Sequence, residues 1–145
     1  MLSLIQRVSH AHVSVNDKII GQINKGIMAL VCIEENDEQS HFEKMAHKLL
    51  NYRIFEDAQG KMNLGLKDID GGLLLVPQFT LAADTKKGLR PSFSHACPPK
   101  IATKKFDQFC QLIAKQHQLV AHGEFGANMQ VSLTNDGPVT LWLKV

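Results

Sequence analysis

Apolar residues recur along this chain at two different periods, and the changes of period divide it into elements. Residues 2–8, 11–16 and 19–23 are short, strand-like runs separated by polar breaks, and they predict three short strands. Residues 26–33 form a nearly continuous apolar run, as expected for a central strand buried on both faces. From about Asp37 to Asn51 the period lengthens. Phe42, Met45, Ala46, Leu49 and Leu50 share one helical face, and Ser40 with Glu43 has capping-box spacing. Residues 52–55 and 72–76 predict further strands, the second introduced by the turn Asp70-Gly71-Gly72. A second helix is expected to start near Pro98-Pro99, with Ala102, Phe106, Phe109, Cys110 and Ile113 on its apolar face.

Near the C-terminus Met129, Val131 and Leu133 alternate with polar residues, and so do Val139, Leu141 and Leu143. Between the two runs stands Asn135-Asp136-Gly137-Pro138, whose Asp-Gly pair predicts a hairpin joining two strands. Proline directly after that glycine is unusual, because it removes a backbone donor and fixes φ. The Gly137–Pro138 bond also belongs to the type that can be cis. Two readings follow: a proline that merely starts a strand, or a turn that fixes two carbonyls in one direction as a recognition device. The elements together predict one α/β domain, residues 1–145, of layered mixed β-sheets with two helices covering one side. Strand edges near the termini are expected to be covered by a second subunit.

Composition narrows the class. The 44% hydrophobic and 21% charged content of 145 residues describes a globular domain able to bury a core. No apolar run approaches the ~20 residues that span a bilayer, and Met1-Leu2-Ser3-Leu4-Ile5-Gln6-Arg7 does not read as a signal peptide. Three cysteines, odd in number and without metal-type spacing, suit a reducing cytoplasm. The formal charge of +2 is too small to announce a nucleic-acid binder, although a local patch could act as one.

The familiar catalytic and nucleotide motifs, from Gly-x-Ser-x-Gly to His-Glu-x-x-His and Gly-x-Gly-x-x-Gly, are missing. His10 and His12 could share a strand face, but further metal ligands cannot be placed, and a solvated face accounts for them. Cys97 precedes two prolines and reads as a packed loop thiol. Two segments carry more. Val76-Pro77-Gln78-Phe79-Thr80-Leu81 lies at a strand end, where an aromatic ring and an amide could hold a nucleobase by stacking and hydrogen bonding. An ordinary strand with alternating faces accounts for it as well. Lys86, Lys87 and Arg90 place three positive charges within five positions of a Gly- and Pro-containing loop, suited to phosphates or simply to solvent.

Taken together, Gln78-Phe79-Thr80-Leu81 and Asn135-Asp136-Gly137-Pro138-Val139-Thr140 resemble the D-aminoacyl-tRNA deacylases. Further blocks follow the family's order along the whole chain: Ile5-Gln6-Arg7-Val8-Ser9, Tyr52-Arg53-Ile54-Phe55-Glu56-Asp57, Gly60-Lys61-Met62-Asn63-Leu64, Lys87-Gly88-Leu89-Arg90-Pro91-Ser92-Phe93 and Met129-Gln130-Val131-Ser132-Leu133. The resemblance implies that family's fold and a cytoplasmic homodimer. It implies hydrolysis of the ester between a D-amino acid, or achiral glycine, and the terminal adenosine of tRNA, with no cofactor or metal and no membrane. It implies catalytic roles for Gln78, Phe79 and Thr80, substrate binding by Pro77, Phe125, Met129, Gly137 and Pro138, and tRNA binding by Lys86, Lys87 and Arg90. In the family the Gly-Pro bond is cis and enters the partner subunit's site. Because an aminoacyl ester is already activated, positioned water, the ribose 2′-hydroxyl and oxyanion donors suffice without a histidine base. Thr80 as a covalent nucleophile is the competing mechanism, and it lacks an activating base. One residue departs from the pattern: Pro77 stands where the family has serine, as in a related group that tolerates L-alanyl esters but lacks the phenylalanine. A deacylase shifted toward glycyl or L-alanyl esters, a non-catalytic tRNA-binding module and a structural small-molecule-binding dimer are the alternatives.

Overall fold

The computed structural model describes residues 1–86, 88–94 and 96–145. The first strand is the longest departure from the local reading. Residues 2–8 and 11–16 do not form separate strands; they belong to one, β1 (Leu2–Val15). β2 (Lys18–Ile23) returns from it through Asn16-Asp17, both at positive φ (48° and 62°), the backbone that a two-residue hairpin requires. β3 (Gly26–Cys32) pairs antiparallel with the first half of β1, and β6 (Gly72–Pro77) lies parallel beside β3. β7 (Val120–His122) lies parallel beside β6, and β8 (Met129–Lys144) runs antiparallel along β1. The sheet order is thus β2-β1-β3-β6-β7, with β8 on β1. A separate small ribbon pairs β4 (Phe55–Glu56) with β5 (Met62–Leu64), much shorter than the strand expected over 52–55.

Helix α1 (Gln39–Asn51) and helix α2 (Pro99–Ala114) carry their predicted apolar faces inward. Phe42 meets Phe109 between them, with ring centroids 5.9 Å apart. The start of α1 differs from the Ser40–Glu43 expectation: Glu38 is the cap, and its backbone N–H donates to His41 Nδ1 at 3.0 Å. Beneath the helices lie Ile27, Ala29 and Val31 of β3 with Leu73 and Leu75 of β6, all buried. The intervening residues, Met28 of β3 and Leu74 and Val76 of β6, join Val8, Ala11 and Val13 in a second cluster on the opposite face. That double burial explains why β3 reads as a continuous apolar run. Each of the buried Val, Leu, Ile and Met side chains contributes roughly 1.5–3 kcal/mol.

The phase of β1 is set by an irregularity. Between Val8 and His10 the ladder spends two residues of β1 on one of β8, so Ser9 is a bulge. The bulge shifts the inward positions from even to odd numbers, and Val8, Ala11 and Val13 all reach the same cluster. Among the described residues no helix is long and apolar enough to cross a membrane.

Candidate active site

β6 ends at Pro77, and the site begins there. On its β3 side the ladder runs one step further, because the Gln78 N–H donates to the Val31 carbonyl at 2.7 Å. On its β7 side the last rung is Gly123 N–H to the Leu75 carbonyl, 2.8 Å. The next rung of a parallel ladder would need an N–H at Pro77, which proline lacks. The two strands therefore part, and the chain after β7 swings away through Phe125. Between the parted segments lies a pocket of about 560 Å³, within the range of small-ligand sites. Pro77, Gln78 and Phe79 form one wall; Phe125, Asn128 and Met129 form another. Phe93 and the Cys97–Pro98 segment close it on the side of α2. Phe79 and Phe93 meet edge to face with centroids 5.3 Å apart, yet remain 47% and 38% exposed. Two half-open aromatic rings at a pocket mouth form a surface on which a planar base can stack.

Phe79–Ala82 form a short 3-10 helix rather than an extended strand. The first N–H groups of any helix lack intrahelical acceptors. Leu81 N–H finds the Gln78 carbonyl at 3.3 Å, whereas the N–H groups of Phe79 and Thr80 have no acceptor among the described residues. Two neighbouring donors thus lack an acceptor at Phe79, which lines the pocket, and at Thr80, which adjoins it, an arrangement able to hold an oxyanion. The Gln78 side-chain amide donates to Thr80 Oγ1, so among the described residues the threonine hydroxyl is positioned by an amide and not by a base. Among the described wall residues Cys97 alone is ionisable. Burial raises its thiol pKa above the ordinary value, which keeps it protonated and unreactive at neutral pH. Cys32, whose Sγ lies 3.7 Å from the Phe79 carbonyl, is pushed up to about 11 by burial, with Glu34 adding to the shift.

The Asn135–Thr140 segment corrects the hairpin reading. β8 is a single strand that stays paired with β1 on both sides of this segment. Gln6 faces Thr140 and Val8 faces Asn135, so two steps of β1 are matched by five of β8. The surplus leaves the ladder as a bulge at Asp136–Val139. The turn signal is local, but the long β1 gives both halves a partner, and pairing decides the course of the chain. The Gly137–Pro138 peptide is trans, not cis: no cis bond occurs among the described residues. An X-Pro bond still favours trans by about 0.5–1 kcal/mol, and here Gly137, at φ +112°, supplies the change of direction. Arg7 grips this bulge from below. Its side chain is buried; Nε donates to the Asp136 carbonyl at 3.1 Å and Nη1 to the Ile54 carbonyl at 2.6 Å. Nε also lies 3.4 Å from the Asp136 carboxylate. Asn135 closes the neck, accepting from Val139 N–H at 3.1 Å and donating to Thr140 Oγ1 at 2.9 Å.

The structure thus brings Pro77, Gln78, Phe79, Phe125 and Met129 together in one pocket, with Thr80 adjoining. It does not bring Gly137 and Pro138 there; they are exposed on the bulge, outside that pocket's lining. Lys86 and Arg90 are exposed on a loop whose base is clasped by reciprocal hydrogen bonds of Asp84 and Ser92, 2.9 and 3.0 Å. Lys87 lies outside the described residues. His10 is exposed beside Ser9, with its Nδ1 3.2 Å from Ser9 Oγ. Arg7 and Phe93 were not singled out as site residues from sequence. The signal for Phe93 was an aromatic closing a Gly/Pro loop; Arg7 has none, because its partners lie 47 and 129 residues away.

Known proteins resemble this chain along its whole length. The family model described as D-Tyr-tRNA(Tyr) deacylase matches residues 4–144. A D-aminoacyl-tRNA deacylase of Francisella tularensis subsp. novicida (strain U112) is 60% identical over 145 residues, the full length of both chains. That of Histophilus somni (strain 2336) is 57% identical, again over the full length of both. The solved structure titled c-Myc DNA Unwinding Element Binding Protein superposes with a TM-score of 0.95 at 38% identity, covering 100% of this chain and 99% of the other. With a family model spanning nearly all of the sequence and relatives aligned from end to end, the chain belongs to the D-Tyr-tRNA(Tyr) deacylase family.

Proposed function

We propose that this chain hydrolyses the ester between a D-amino acid and the terminal adenosine of tRNA, accepts the achiral glycyl ester, and spares L-aminoacyl esters. One observation carries the reading: an apolar pocket of nucleoside size, with two adjacent unbonded N–H groups at its rim. The terminal adenosine occupies the pocket, its base against the aromatic and Met129 walls. The ester carbonyl points at the N–H groups of Phe79 and Thr80, which stabilise the negative charge of the tetrahedral intermediate. A water molecule attacks, assisted by the 2′-hydroxyl of the terminal ribose. Thr80, held by Gln78, positions the ester and is not the nucleophile, since its hydroxyl accepts from an amide and no base stands beside it among the described residues.

Discrimination of hand requires a rejecting element, because L- and D-esters carry the same groups. The Gly137-Pro138 bulge supplies it from a second copy of the chain. Three features support this arrangement. The bulge is exposed and lies outside its own chain's pocket. It is held firmly by Arg7 and Asn135. The strand that bears it, β8, pairs with β1 alone and leaves half-exposed Val131 and Trp142 for a partner. The carbonyls of Gly137 and Pro138 grip the α-amino group and leave no room where an L side chain would point. Recognition by main chain leaves the D side chain unread, so breadth across amino acids follows.

Side-by-side hydrolysis of D-tyrosyl-, L-tyrosyl- and glycyl-tRNA tests the reading. Cleavage of the first and third with the second spared is the expected result; equal cleavage of D and L esters overturns the chiral part. Pro77, in place of serine, makes L-alanyl-tRNA the informative fourth substrate.

A further inference from the structure

The pocket accommodates one nucleoside, but a tRNA arrives with its phosphodiester backbone attached, and that backbone must leave the pocket over some part of the surface. The start of α2 has a charge pattern that folding alone does not explain. Its first turn contains no acidic residue, and its N-terminus has no side-chain cap. Lysines occupy positions 100, 104 and 105, near the end of the helix where the dipole favours negative charge. Lys100 and Lys104 are one turn apart on the exposed side, a like-charge i, i+4 pair that weakens a helix. Lys105 is accounted for: its Nζ donates to the carbonyls of Glu35 and Asp37 at 2.6 and 2.7 Å. Lys100 and Lys104 make no ion pair and no hydrogen bond through Nζ among the described residues.

Their position supplies the reason. Pro98 and Pro99 line the pocket, so Lys100 is the first residue beyond its wall. Lys104 lies about 6 Å further along the helix axis. The same wall continues back through Phe93 to the clasped loop bearing Lys86 and Arg90. The basic loop and the basic face of α2 therefore flank, in sequence, the segment that closes the pocket.

Resting on the deacylase reading above, we propose that Lys100 and Lys104 form a phosphate track: the exposed face of the first two turns of α2 receives the backbone of the RNA strand whose 3′-terminal nucleoside fills the pocket. Two ammonium groups one turn apart engage successive phosphates, and counterion release drives the contact. The loop residues Lys86 and Arg90 extend the same track. Lys115, at the other end of α2, lies off it.

The test uses the full chain and two esters of D-tyrosine, one on tRNA and one on adenosine alone, which has no upstream phosphate. The readout is the ratio of kcat/KM for the tRNA ester to that for the adenosine ester. Lys100→Glu and Lys104→Glu each lower this ratio about tenfold or more at low salt. Lys100→Gln and Lys104→Gln each reduce the slope of log binding against log salt by about one. Lys115→Glu, which makes the same change in charge, keeps the wild-type ratio. Equal ratios for the Lys100, Lys104 and Lys115 variants overturn the track. So does a wild type that cleaves both esters with the same efficiency, since the RNA body would then contribute nothing. Cleavage of neither ester by the wild type sinks the deacylase reading itself, and the track with it; the two failures are thereby distinct.

Discussion

Substituting Gly137 by alanine tests the account of the bulge. Two costs are legible. At φ +112° an L side chain is strained by about 1–3 kcal/mol. The new Cβ would also run into Arg7 Nη2, so the guanidinium must move. Arg7 is only 8% exposed, and movement endangers its hydrogen bonds to the Ile54 and Asp136 carbonyls. A hydrogen bond to a charged group is worth roughly 1.5–3 kcal/mol, and the buried donors would find no water in exchange. Gly137→Ala should therefore destabilise the chain by about 2.5–6 kcal/mol in urea unfolding if one such bond is lost. A double-mutant cycle separates the two costs. With Arg7→Met the clash is absent, and Gly137→Ala should cost only the backbone part, leaving a coupling of about 1.5–3 kcal/mol. Identical costs in the two backgrounds, within about 0.5 kcal/mol, would refute the idea that Arg7 and Gly137 are fitted to one another.

Thr80→Val should retain hydrolysis of D-tyrosyl-tRNA within about tenfold, whereas a covalent nucleophile would lose several orders of magnitude; single-turnover kinetics decides. Phe93→Ala should raise KM for the adenosine ester of D-tyrosine by about 5- to 150-fold with little change in kcat, the value of one stacked base. Asp37→Asn removes a buried carboxylate that sits 2.7 Å from the Met1 ammonium and also accepts from Glu34 N–H at 2.7 Å; chemical denaturation should show a loss of about 3–5 kcal/mol. The thiols of Cys32 and Cys110 are raised by burial from 9.0 to about 11 and about 12. Unfolded thiols ionise from pH 9 upward while the folded ones stay protonated, so this contribution to stability is intact below pH 9 and declines between 9 and about 11–12. Replacing both by alanine should flatten that alkaline decline in unfolding free energy measured against pH.

Periodicity revealed what is locally encoded. The faces of α1 and α2 and the buried run of β3 could be read because each is a repeat within one element. The ends of elements were less legible, since Glu38 caps α1 through His41 while Ser40 and Glu43 only have the right spacing. The course of β1 and β8 was misread for a single reason. Ser9-His10 and Asp136-Gly137 look like breaks, yet each strand carries its partner across the other's interruption. The sequence likewise leaves the isomer of the Gly137–Pro138 peptide open, since an X-Pro bond permits both cis and trans. Pro77, Gln78 and Phe79 are legible as a candidate site because they adjoin in sequence, and they line one pocket. Phe125 and Met129 were assigned by resemblance, and the parting of β6 from β7 explains why they meet the others. Arg7 was invisible, because a basic residue in a strand acquires its meaning only from the carbonyls that the fold brings to it.

The bulge at Ser9 bears on which changes of length this chain can survive. Deleting one residue from a surface loop is commonly harmless, and deleting an irregularity from a strand sounds like a repair. Straightening the ladder with every residue kept would rotate Ala11 and Val13 outward and drive His10 and His12 toward the apolar cluster. Removing Ser9 itself does the opposite: Val8, Ala11 and Val13 then alternate regularly with His10 and His12 and keep the buried face. Residue 9 is therefore a place where β1 can lose one residue without losing its phase, whereas deletion of His12 would set Ala11 and Val13 on opposite faces.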